Sequence, residues 1–132
     1  MDDAVAVYLA KAEESLAGAE SEIANGRFNN CANRCYFAVF QAAIAALVQA
    51  GASPTGASGA WKHKYVQSEF VRQLINRRKQ YPASLQDVLA DTLILRQRAD
   101  YEARIVSEVQ AMRALRKART FVAAISDGEL NR

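Results

Sequence analysis

Apolar residues recur near the start of the chain at Val5, Leu9, Ala12, Leu16, Ala19 and Ile23, at spacings of four and three in turn. That period puts one apolar stripe on an α-helix over residues 2–25. Asp2 and Asp3 suit the positive end of its dipole, and Gly26 is a natural residue just past its C-terminus. A second helix is predicted after Asn29-Asn30, either of which can cap it, running to Ala50 with Gly51 as its stop. Of the fourteen residues from Cys35 to Val48, Gln41 is the polar one. A helix apolar on almost every face must be buried on most of them, so this one is predicted to be the hub. Residues 51–60, Gly-Ala-Ser-Pro-Thr-Gly-Ala-Ser-Gly-Ala, predict a flexible loop too short to separate domains. A third helix is predicted over residues 61–80 with Tyr65, Val66, Phe70, Leu74 and Ile75 inward. Ser84 with Asp87 resembles a capping box for a fourth helix, which carries Leu85, Val88, Leu89, Thr92, Leu93 and Leu95. The period blurs at Arg98-Ala99-Asp100-Tyr101, where a kink or break is expected. A last helix is predicted over residues 103–126 with Val109, Met112, Leu115, Val122 and Ile125 inside, Gly128 beyond its end and residues 127–132 as a tail. No strand alternation and no repeat is visible. The pattern predicts an all-α fold, an up-and-down antiparallel bundle of four to five helices.

A chain of 132 residues is of one-domain size, and its 51% hydrophobic and 23% charged residues suit a globular protein. The start, Met1-Asp2-Asp3, is acidic where a secretory signal would be basic. The longest apolar run is also read as too short for a bilayer, which needs about 20 residues. A cytoplasmic protein with no membrane contact is expected. Cys31 and Cys35 fall on one helix face and are expected to be core thiols rather than a disulfide. With a single His in the chain, a Cys/His metal site cannot assemble from it alone, and no metal or cofactor is expected. Net charge is +3 but uneven. Residues 1–60 carry three basic and six acidic side chains, whereas residues 61–119 carry thirteen and six. The basic half could attract an anionic partner such as RNA, or be a solvated surface.

Motifs for phosphate-cradling loops, nucleophile elbows and His-pair metal sites are absent. Arg34 and Gln41 lie seven residues apart, two helical turns, on nearly the same face of the hub helix. Polar groups there need partners. Either Arg34 pairs with a carboxylate such as Asp100 while Gln41 satisfies backbone groups, or their face opens onto a cleft or subunit interface. His63, flanked by Trp61, Lys62 and Lys64, joins an aromatic ring to two cations and is the one imidazole available as an acid or base. Its plainer reading is a helix-start His beside a packed Trp. The run Arg77-Arg78-Lys79 and the group Arg113, Arg116, Lys117, Arg119 could form an RNA-facing stripe or ordinary surface charge.

The stretch Asn33-Arg34-Cys35-Tyr36-Phe37-Ala38-Val39-Phe40-Gln41-Ala42-Ala43-Ile44-Ala45-Ala46-Leu47 resembles the core-helix signature of the HEPN domain. Tyr8-Leu9-Ala10-Lys11-Ala12 with Glu14-Ser15-Leu16 resembles the family's first helix, and His63, Val66 and Phe70 resemble its third. Arg96-Gln97-Arg98-Ala99-Asp100-Tyr101 is similar to its Arg-x-x-Ala-Asp-Tyr element. The likeness runs from about Tyr8 to Ile125. It implies a bundle of four or five helices, usually a homodimer. Many relatives are metal-independent endoribonucleases, and several are toxins encoded beside a small nucleotidyltransferase antitoxin. Others bind RNA or nucleotides, or act as scaffolds, without catalysis. The family's ribonuclease motif is an Arg followed by a His after four to six intervening residues. Arg34 matches the Arg, but Gln41 stands where the His is expected, and Cys35 where active members often carry Asn, Asp or His. Glutamine cannot exchange a proton near neutral pH.

The resulting expectation is a HEPN-like binding module for RNA, a nucleotide or a partner protein, with a degenerate nuclease motif, in a toxin–antitoxin-type or nucleotidyltransferase-linked system. The rivals are an active ribonuclease toxin and a purely structural subunit. Arg34, Gln41 and His63 are the candidates for chemistry. Arg34, Lys62, Lys64, Arg77, Arg78, Lys79 and Arg96 are the candidates for phosphate.

Overall fold

The computed structural model describes residues 2–54 and 59–130. It contains five helices: α1 (Asp3–Ala24), α2 (Phe28–Gln49), α3 (His63–Glu69), α4 (Val88–Tyr101) and α5 (Glu108–Leu130). Among the described residues there is no strand. Asp2 caps α1 by accepting from the Ala4 amide. Gly26 and Gly51 lie just past α1 and α2 with φ of +73° and +92°, the left-handed turn that glycine adopts without steric cost.

The hub is α2, which packs against α1, α4, α5 and α3. Ala38, Ala42, Ala43, Ala45 and Ala46 are all fully buried. Their small side chains let neighbouring helices approach closely, while Tyr36, Ile44 and Leu47 supply bulk. Cross-helix pairs give the directions. Ser15 meets Gln41, Asn33 meets Asp100, and Lys117 meets Asp91, so α1, α2, α4 and α5 alternate. His63 sits at Tyr36 and Phe40 while Arg78 reaches the Ala50 carbonyl, so α3 runs in the same sense as α2. Among the described residues, α2 is the one helix long and apolar enough to cross a bilayer by length and composition, contrary to the expectation of too short an apolar run. Most of it is buried inside the bundle.

Several helix ends differ from the periodicity. α2 starts at Phe28 after Arg27, so neither Asn29 nor Asn30 caps it. Asn29 instead accepts from the Val106 amide at 2.9 Å and holds the α4–α5 connection. The third helix continues past α3 as a π-helix, Phe70–Arg77, with the Arg78 amide on the Gln73 carbonyl. A 3₁₀ turn, Ala83–Leu85, precedes α4, and Asp87 makes no side-chain cap. The reciprocal capping box lies instead at Ser107 and Gln110, whose side chains bond each other's backbone amides at 3.0 and 3.1 Å. Arg98–Tyr101 remain helical, and the break comes after them.

α5 corrects the sequence reading twice. It passes through Gly128 to Leu130, so most of the expected tail is helix, and residues 131–132 lie outside the described residues. Gly128 is a close-approach position, where a Cβ would stand 3.3 Å from the Tyr81 ring. Its buried face is Ala111, Ala114, Leu115, Ala118, Phe121, Val122 and Ile125, whereas Val109 and Met112 are half-exposed. The large residues from Leu115 to Ile125 set the face, and the alanines fall on it by the 3.6-residue period. Of the expected loop, residues 52–54 and 59–60 have no regular structure, and residues 55–58 lie outside the described residues; Trp61 and Lys62, expected to open the third helix, precede it, since α3 starts at His63. Cys31 and Cys35 are buried free thiols with sulfurs 3.9 Å apart, and the contact with Cys31 first and burial second push the Cys35 thiol up.

Candidate functional site

Between Cys31 and Leu47, one strip of α2 escapes full burial: Asn33, Arg34, Phe37 and Gln41 are all partly exposed. The 3.6-residue period stacks them along one face. Arg34 donates through Nε and Nη2 to Asn33 Oδ1 at 3.1 and 2.7 Å, and its guanidinium lies 5.1 Å from the centre of the Phe37 ring. Its aliphatic stem runs beside Gly18 of α1, where a Cβ would stand 3.4 Å from Arg34 Cδ. Arg34 has three N–H donors left for a ligand.

Arg34 and Gln41 share a cleft of about 450 Å³ with Lys11, Glu14, Ser15 and Gly18. The Gln41 amide is occupied. Its nitrogen lies 2.9 Å from the Lys11 carbonyl oxygen, 3.0 Å from the Phe37 carbonyl oxygen and 2.7 Å from Ser15 Oγ, and its two N–H bonds are shared among these three acceptors. It therefore bridges α1 and α2 through backbone groups, one of the roles weighed from sequence. The suggested Arg34–Asp100 pair does not form. Asp100 accepts from Arg96 Nε at 3.0 Å and from Asn33 Nδ2 at 3.1 Å, and Asn33 relays that link to Arg34. Helical spacing could place Arg34 on a face, but not choose between two cations for one carboxylate.

Arg96 joins the strip from α4. Its guanidinium lies 5.2 Å from the Phe37 ring centre, 5.9 Å from Tyr36 and 6.0 Å from Tyr101. Both guanidiniums thus use Phe37, which places their central carbons no more than about 10 Å apart. Cation–π contact holds each cation without consuming its N–H donors.

His63, the first residue of α3, reaches this group from the other side. Its ring lies 4.8 Å from Phe40 and 5.3 Å from Tyr36, and Nδ1 hydrogen-bonds the Tyr36 hydroxyl. Burial pushes the Tyr36 phenol up, against a smaller opposing pull from Arg96, so the hydroxyl keeps its proton and donates it. The imidazole proton then sits on Nε2. Desolvation first and the Arg96 charge second hold His63 below the ordinary histidine value. The residue is exposed overall, but its Nδ1 edge is the edge pressed against Tyr36. His63 is therefore a neutral N–H donor at pH 7 whose basic nitrogen is already capped.

The other sequence candidates lie elsewhere. Lys62 and Lys64 flank His63, but Lys64 lines a separate cleft with Gln67, Arg72 and Asp87. Arg77 ends the π-helix, about 20 Å along the third helix from His63. Arg78 donates through Nη1 to the Ala50 carbonyl at 3.3 Å, at the opposite end of α2 from Arg34. Lys79, at φ +51°, lines a third depression beside Tyr81 and Pro82. Of the seven proposed phosphate contacts, Arg34 and Arg96 are the two on the strip. Tyr36, Phe37 and Asn33 were not singled out as site residues. Their polar and π groups stand inside a run that reads simply as core.

Fold and strip together define an all-helical bundle with a cationic, aromatic-backed strip on its central helix. The HEPN domain family pattern matches residues 5–128, and the chain belongs to that family, one of nuclease-like or nucleotide-binding modules. No curated protein matches the chain at a significant level.

Proposed function

We propose that this chain is a HEPN binding module that holds an RNA or nucleotide phosphate on the α2 strip and does not cleave it. Gln41 carries this reading. The position that would hold the family's proton-transferring histidine bears an amide already bonded to two backbone carbonyls. RNA cleavage by 2′-hydroxyl attack needs a proton acceptor, typically worth about 10²–10⁴ in rate. The remaining imidazole, His63, has its lone pair on the Tyr36 hydroxyl. Arg34 and Arg96 retain donors for phosphate oxygens, and Arg can grip them bidentately.

The module works as a cytoplasmic homodimer across the α2 face, and a small nucleotidyltransferase in a toxin–antitoxin-type pair is the partner to seek first. Support for both is the family membership. Light scattering at micromolar concentration that returns the mass of one chain removes the dimer. Co-expression with a neighbouring nucleotidyltransferase, if one is encoded, tests the pair by co-elution.

Activity is tested by incubating the protein with structured RNA in the absence of added metal. No discrete products are expected from the wild type. Salt-dependent binding of a labelled single strand should be lost in Arg34→Ala. Robust cutting by the wild type, abolished in His63→Ala, would replace this reading with the ribonuclease toxin. A ligand-free structural subunit is left if RNA and nucleotides fail to bind even at low salt.

A further inference from the structure

Along the seam between α4 and α5, two adjoining depressions of about 240 and 200 Å³ meet at Lys117. They are floored by aliphatic groups, chiefly Leu85, Val88, Leu95 and Ala114, and no aromatic ring lines either. Ile94 stands on the rim, 49% exposed. The seam covers α4 from Val88 to Arg98 and α5 from Gln110 to Thr120, about 15 Å on each helix, or close to three helical turns.

The rim is cationic. Arg98, Arg113, Arg116 and Lys117 border it, and the single acid, Asp91, is held by Lys117 at 3.2 Å. Among the described residues no carboxylate lies within ion-pair distance of Arg98, Arg113 or Arg116. An aliphatic floor bordered by unneutralised arginines matches an apolar stripe flanked by carboxylates. RNA would meet the same cations but find no ring to stack on, and stacking is the main non-ionic term for single strands.

We infer that this groove receives an acidic amphipathic helix of a partner protein. Leucine-type side chains, spaced three and four apart, enter along Ile94 and Leu95, and glutamates on either side meet Arg98, Arg113 and Arg116. Electrostatic complementarity sets the register and speeds encounter, and the aliphatic floor slows departure. The site lies on helices other than the α2 strip and does not depend on what that strip binds.

The probe is a labelled designed peptide of about fifteen residues with leucines at helical spacing and flanking glutamates, titrated against the full chain by fluorescence anisotropy. Controls carry lysines in place of the glutamates, or the same residues scrambled. The acidic peptide should bind at low salt, and its affinity should fall at least tenfold with Ile94→Asp and with Arg113→Glu. Both sites are exposed, and unchanged thermal melts should show that the fold is intact. Amide shifts on binding should cluster on α4 and α5 and leave His63 unmoved. The doubly reversed Arg113→Glu/Arg116→Glu protein should prefer the lysine peptide. No binding by the acidic peptide, equal binding by the lysine or scrambled version, or indifference to Ile94→Asp would overturn the proposal. So would competition by a short RNA that shifts the same amides, or dissociation of a homodimer by Ile94→Asp.

Discussion

The bond between Tyr36 and His63 makes the sharpest test of the site, because the two residues depend on it unequally. Tyr36 is 1% exposed, so its hydroxyl has no water to turn to. Tyr36→Phe removes the donor and leaves His63 Nδ1 at an edge near solvent. The expected cost is one net hydrogen bond, about 1 kcal/mol, or about 4 °C in melting temperature for a domain of this size. His63→Ala removes the acceptor and strands a buried hydroxyl, which costs about 1–3 kcal/mol, in addition to the lost contacts with Phe40. In the Tyr36→Phe background that stranding penalty is absent. A double-mutant cycle by urea denaturation at pH 7.5 should therefore return a coupling of about 1 kcal/mol. The coupling should vanish at acid pH, because a protonated Nδ1 can no longer accept. The chain has one histidine, so its imidazole signals can be followed by NMR without assignment. Tyr36→Phe should raise the His63 pKa, since a bond to the neutral form is lost. Additivity within about 0.3 kcal/mol, or an unmoved titration, would refute the assigned bond and with it the capped-base account of why wild type should not cut.

Further outcomes follow from single contacts. Because the folded pKa of His63 lies below the ordinary value of 6.5, the unfolded chain takes up the proton first. Stability present above pH 6.5 is lost as pH falls from there through the folded value, and melts of His63→Gln across that range should be flatter than wild type. Gly18→Ala should add about 0.5–1 kcal/mol by helix propensity, as its new methyl meets Arg34 at an ordinary 3.4 Å. Gly128→Ala places its methyl 3.3 Å from Tyr81 and should gain less or lose, which paired denaturation curves will show. Phe121→Ala, at a fully buried ring, should cost about 3–5 kcal/mol. Gln41→His restores an imidazole to the strip and, if Arg34 and Arg96 are otherwise set for catalysis, should raise RNA cleavage in a manner abolished by Arg34→Ala. Unchanged cleavage would show that the strip has diverged beyond one residue.

Helix identity was legible in the chain because it depends on neighbours three and four apart. The stripe from Val5 to Ile23, the apolar run of the hub helix and the glycine stops at Gly26 and Gly51 all encode local geometry. So do Arg34 and Gln41, which two turns of helix must bring to one face. Where several local signals competed, tertiary contacts chose. Asn29 could cap a helix yet pins Val106, and Ser84 had a capping pattern that Ser107 and Gln110 use instead. Val109 and Met112 fit an apolar period yet face outward, because the larger residues further along α5 had already fixed its rotation. The site shows the same division. Sequence placed Arg34, and it marked His63 and Arg96 as candidates. Only packing could bring α3 and α4 to Tyr36 and Phe37, give Asp100 to Arg96 rather than Arg34, and cap the histidine with a phenol. Pairing between helices is decided by which side chains fill the shared space, and that information is spread over residues far apart in the chain.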